Sequence, residues 1–126
     1  MTTHHVIAWI DHSEARILSI DPEQIEATIV KPIAHPHLHV KRGVVGSGHA
    51  AEDQHYYNSV AEALAGAREI LIAGPGQAKL ALLKHLHAHH PAIVEHVVGI
   101  ETSDHPSDRQ LVDHARHYFK AKDRML

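Results

Sequence analysis

The sequence predicts an α/β fold: a mixed sheet of about five strands, an antiparallel three-strand meander followed by parallel βα units, with helices packed on it. Three observations carry this expectation. Short β-prone runs fill residues 6–30, apolar residues at helical spacing begin only after Gln54, and from there strand-like and helix-like segments alternate.

Val6–Ile10 and Ala15–Ile20 flank the turn-like tetrad Asp11-His-Ser-Glu14 and read as a hairpin. In Ile25–Val30 the residues Ile25, Ala27 and Ile29 alternate with Glu26, Thr28 and Val30, which predicts a third strand with one covered face. From Lys31 to about Gln54 prolines and glycines interrupt every period, and a long loop is expected. Tyr56, Val60, Ala63 and Leu64 then fall at helical spacing, with Glu62 and Arg68 on the other side. Arg68–Ala73 is an apolar strand ending in Gly74-Pro75-Gly76, and Gln77–His89 is a helix carrying Leu80, Leu83 and Leu86 with Leu82 beside them. Pro91 ends that helix, and Ile93–Glu101 supplies a further strand. Asp104 or Ser107 is the expected N-cap of a last helix over Asp108–Lys120, burying Leu111, Ala115, Tyr118 and Phe119, with a frayed tail after it. The order is RNase H-like in topology, which by itself says nothing about activity.

With 126 residues and 44% hydrophobic composition the chain suits one core, so residues 1–126 are read as a single domain. The formal charge of −3 excludes a polycation that coats nucleic acid indiscriminately. Cysteine is absent, which excludes disulfides, thiolate zinc sites and cysteine nucleophiles. No secretory start or spanning apolar run is visible, so a cytoplasmic protein with no membrane partner is expected. The 16 histidines are scattered, and mild acidification to about pH 6 should reverse the sign of the net charge.

Between Glu26 and Glu52 there is no acidic residue, whereas Lys31, Lys41 and Arg42 are cationic and His35, His37, His39 and His49 can become so. A positive segment on an acidic body suits contact with a phosphate backbone, where neutralised phosphates release counterions. The alternate spacing of His35, His37 and His39 also permits a metal, but Pro36 and the glycines argue against a preformed site. His85, His87, His89 and His90 close a helix, where the macrodipole favours protonated histidine without a ligand. Gly74-Pro75-Gly76 opens a helix and can cradle an anion, yet it lacks the Walker and dinucleotide patterns. Asp11, Asp104, Asp108 and Asp113 suggest a two-metal nuclease only by topology, since Asp11 and Asp104 already suit a turn and a cap. No cofactor, metal site or catalytic residue is expected.

The segment Glu69-Ile-Leu-Ile-Ala-Gly-Pro-Gly-Gln-Ala-Lys79, followed by Leu82-Leu-Lys-His-Leu86, resembles the strand, turn and helix of the central domain of Pelota and the archaeal and eukaryotic class-one peptide release factors. The three-strand start, basic loop and closing helix follow in the same order, from about Val6 to Phe119. The resemblance implies a bacterial-type single-domain relative that works with the ribosome. In the release factors the corresponding loop carries Gly-Gly-Gln; here Lys41-Arg-Gly43 and Gly46-Ser-Gly-His49 stand in that region, and Gly-Gly-Gln is absent. Binding is therefore expected over peptide release, through Lys41, Arg42, Gly43, Gly46, Gly48 and His49, with ribosome or RNA as partner. The free edge of such a sheet also admits a homodimer. Two other readings are a hydrolase of RNA or peptidyl-tRNA using Asp11 or His49, and a histidine-rich metal-binding or pH-responsive protein.

Overall fold

A computed structural model describes residues 5–20, 25–32 and 45–124. The order is β1 (His5–Ile10), β2 (Ala15–Ile20), β3 (Ile25–Val30), α1 (Val45–Leu64), β4 (Glu69–Gly74), α2 (Ala78–His89), α3 (Pro91–Val94), β5 (Val97–Thr102) and α4 (Asp108–Arg124). The strands form one sheet in the order β3-β2-β1-β4-β5. β1 pairs antiparallel with β2 and parallel with β4, β2 pairs antiparallel with β3, and β4 pairs parallel with β5. The expected meander and parallel βα units are both present.

β1 is apolar from Val6 to Ile10 because both its faces are covered. Val6, Ala8 and Ile10 join Ile70 and Ile72 of β4 beneath Tyr56, Val60 and Leu64 of α1 and Leu82 and Leu86 of α2. The alternate residues Ile7 and Trp9 join Leu18, Leu71 and Ala73 beneath Leu111, Val112, Ala115 and Phe119 of α4. The period-2 alternation of side chains thus divides the core into two layers on one central sheet.

The helix ends have local causes. Gly66, at φ +89°, takes the left-handed conformation just past α1 that favours glycine. At α4 the backbone N–H of Gln110 donates to Ser107 Oγ at 3.2 Å while the N–H of Ser107 donates to Gln110 Oε1 at 2.8 Å. This reciprocal pair is a capping box, so Ser107 is the cap and Asp104 is not.

Several expectations are corrected. Residues 45–54 are helical, so α1 begins well inside the expected loop; Gly46 and Gly48, weak helix formers, hid its start. Ile93 and Val94 belong to α3, opened by Pro91, and β5 starts only at Val97. On α2 the buried face is Ala78, Lys79, Leu82, His85 and Leu86, and Leu80 points outward. On β3, Ala27 and Ile29 are exposed, whereas Val30, on the opposite face of this edge strand, packs on the core on the side that α1 reaches. α4 runs to Arg124, past the expected end at Lys120, and its Tyr118 is half-buried while Phe119 is buried.

Candidate functional site

β1, β4 and β5 run parallel, so their carboxyl ends share one edge of the sheet, where ligands of open α/β sheets are usually bound. Asp11 follows β1, Gly74-Pro75-Gly76 follows β4, and Ser103 to Pro106 follow β5. The N–H of Ser103 donates to the Gly74 carbonyl at 3.0 Å, tying two of these ends together. A Cβ on Gly74 would collide with the carbonyl oxygen of Ile10, whereas one on Gly76 would meet nothing. The first glycine of the turn is thus required by close packing of neighbouring backbones.

The Asp11 carboxylate caps the hairpin turn: its Oδ1 accepts the N–H of Ser13 at 2.8 Å and of Glu14 at 2.9 Å. Its other oxygen lies 3.3 Å from His105 Nε2. Burial opposes its ionisation, but the two N–H donors and His105 outweigh it and hold the carboxyl below the usual range. The Asp11 backbone oxygen accepts from the Tyr56 hydroxyl at 2.9 Å, and burial pushes that phenol upward.

The segment after β5 is pinned from the sheet. Trp9 Nε1 donates to the Asp104 carbonyl at 2.8 Å, and the His105 ring lies 5.1 Å from the indole. Arg16 sits 4.5 Å over the indole and reaches Asp108 at 2.9 Å and Glu14 at 3.5 Å. Beside this segment is a cavity of about 440 Å³ with Ala73, Leu111 and Pro106 among its apolar walls. Its charged lining is Glu101 and Asp104, with His105 and His114 and no lysine or arginine among the lining residues. His114 Nε2 lies 2.5 Å from Glu101 Oε1. The cavity is therefore unsuited to a phosphate, and Gly74-Pro75-Gly76 is not part of its lining.

The sequence singled out some of these residues for other reasons and missed others. Lys41, Arg42, Gly43 and the histidines 35, 37 and 39 lie outside the described residues. Gly46, Gly48 and His49 fall in the first turns of α1, where a loop was expected. Asp11 and Asp104 come to one edge, but Asp108 pairs with Arg16, and among the described residues no group of three or more acidic or histidine side chains could hold a metal. His105, His114 and Ser103 were not expected as site residues, because the run Ser103-Asp-His-Pro106 reads as turn and cap. At the other end of α2, His85 is buried, and its Nε2 and that of His90 lie 2.7 and 3.0 Å from Asn58 Oδ1. Burial, then the neighbouring His89 and His90, hold His85 below the usual imidazole range.

No family model and no curated protein matches the chain. Solved structures do. Archaeoglobus fulgidus Pelota superposes with TM-score 0.64 over 93% of this chain at 14% identity. It has a release-factor and Pelota-type fold. The archaeal translation termination factor aRF1 matches over 96% of this chain with TM-score 0.50 and 16% identity. Dom34 of S. cerevisiae, a termination-like factor involved in RNA quality control, matches over 97% with TM-score 0.52 and 7% identity. The chain spans 32%, 38% and 39% of those three chains, so the Pelota-type fold here corresponds to about a third of each.

Proposed function

We propose that this protein is a translation-associated factor that binds the ribosome or its RNA and does not carry out Gly-Gly-Gln-type peptide release. The observation that carries this reading is the match of nearly the whole chain to a part of Pelota and of the archaeal termination factor. The sequence contains no Gly-Gly-Gln, which favours binding over hydrolysis. Lys41 and Arg42 supply the charge for phosphate contact, Gly43 allows close backbone approach, and Gly46, Gly48 and His49 extend the surface into α1. The first turn of α1 has no acidic residue to offset the positive end of its macrodipole, and the cationic segment precedes it in sequence. No helix among the described residues is long and apolar enough to cross a membrane, and we place the protein in the cytoplasm with the ribosomes. The exposed Ile29 on edge strand β3 offers a pairing edge for a homodimer, which light scattering would detect.

Co-sedimentation with ribosomes at low and high salt tests the reading. The wild-type chain should sediment at low salt and be released at high salt, and Lys41→Ala/Arg42→Ala should lower the logarithmic salt slope by about two. Absence of sedimentation at every salt would remove the proposed function.

A further inference from the structure

We propose that the cavity at the carboxyl edge of the parallel strands binds a guanine base, read by the carboxylate of Asp104. This deepens the RNA-binding reading and rests on it only for the biological source of the base.

The lining selects the ligand class. With Glu101 and Asp104 as its charged side chains, the cavity repels phosphate, and a purely apolar occupant would strip water from carboxylates without replacing their hydrogen bonds. A planar group rich in N–H donors meets both demands. The Asp104 backbone is fixed by Trp9, while its side chain has no hydrogen bond or ion pair among the described residues. Ser103, also in the wall, has a buried hydroxyl without a partner among those residues. Such a hydroxyl lacks an acceptor, and rotation about its Cα–Cβ bond would present it to the cavity. Both imidazoles of the lining are held by carboxylates, His105 by Asp11 and His114 by Glu101, beside the apolar Ala73, Pro106 and Leu111.

Guanine fits this set as the other bases do not. Its Watson–Crick edge carries N1–H and N2–H side by side, two donors that one carboxylate accepts together, and its O6 and N7 accept from a hydroxyl. Adenine and cytosine place a ring acceptor beside their amino group, which would face the carboxylate lone pairs. Uracil flanks its one ring N–H with two carbonyls. A cavity of about 440 Å³ admits a purine with its ribose directed outward.

The test is an amide NMR titration of the full chain with free guanosine, inosine, adenosine and N-methylguanidinium, in the absence of ribosomes. Guanosine should shift the Ser103, His105 and His114 signals saturably. Inosine, which lacks the N2 amine, and adenosine should bind about tenfold more weakly or less. Asp104→Asn, at an exposed side chain that holds no other group, should keep the fold and lose the preference for guanosine. Absence of saturable shifts with guanosine, or equal binding of adenosine, would overturn the proposal. Equally tight binding of N-methylguanidinium would also overturn it, assigning the cavity to a basic side chain of a protein partner. Guanosine binding by a protein that fails to sediment with ribosomes would leave the pocket standing and remove only the translation reading.

Discussion

The indole Nε1 of Trp9 donates to the backbone oxygen of Asp104 across 2.8 Å, joining the central strand to the segment after the edge strand from 95 positions away in sequence. The bond fixes the wall of the candidate cavity to the most buried part of the sheet. Trp9→Phe keeps an aromatic ring under the Arg16 guanidinium but leaves the Asp104 carbonyl without its donor. The expected loss is about 1–3 kcal/mol. It should appear as a lower urea midpoint with an unchanged slope, together with altered amide signals for residues 103–105.

His85 makes stability pH-dependent. In the unfolded chain it titrates near 6.5, and in the fold burial and then His89 and His90 hold it lower. Between those two values the unfolded chain binds the extra proton, so stability falls as pH drops through 6.5 and levels off below the folded value. The groups facing it are His89 and His90 from its own side and Tyr57 and Asn58 from α1. Urea midpoints measured at about pH 7.5 and 5.5 should differ in the wild type and differ less in His85→Gln. Equal differences in both proteins would show that His85 is not the group responsible.

Asp11 acts at lower pH and with the opposite chemistry. Its carboxyl is depressed below 3.8 in the fold, so its contribution is complete above that value and lost as pH falls through the folded value. Asp11→Asn retains an oxygen for the Ser13 and Glu14 N–H groups but cannot titrate. Acid unfolding of the variant, followed by circular dichroism below about pH 4, should be shallower than that of the wild type.

These long-range ties explain what was legible in the sequence. The run Val6–Ile10 declared a hairpin strand, while its central place with two covered faces follows from its pairing with both β2 and β4. The Arg68–Ala73 run, the glycine turn and the leucines after it declared the βα unit. The phase of α2 was not legible, because Leu80, Leu82, Leu83 and Leu86 supply apolar residues on more than one face. What selects the face is tertiary: Asn58 on α1 gives His85 a hydrogen-bonding partner, so a histidine is buried while Leu80 stays out. The start of α1 was hidden because Gly46 and Gly48 oppose helix locally. The cavity depends on Asp11, Trp9, His105 and His114 arriving from three separate elements, a juxtaposition that pairing of the strands creates and local spacing does not record.

The glycine turn allows a packing requirement to be separated from ligand approach. At Gly74 a Cβ would press on the Ile10 carbonyl oxygen, a backbone atom that cannot withdraw without disturbing the center of the sheet. Gly74→Ala should therefore cost more than the ordinary cost of about 1–3 kcal/mol for an overpacked site, or prevent folding at 37 °C. Gly76 has open space around its missing Cβ and a φ outside the left-handed region. Gly76→Ala should leave the fold intact and raise stability by about 0.4–1 kcal/mol through the unfolded chain. Denaturation of the two variants side by side checks both expectations, and a marked loss of stability in Gly76→Ala would show that the turn needs its second glycine for a reason internal to the fold.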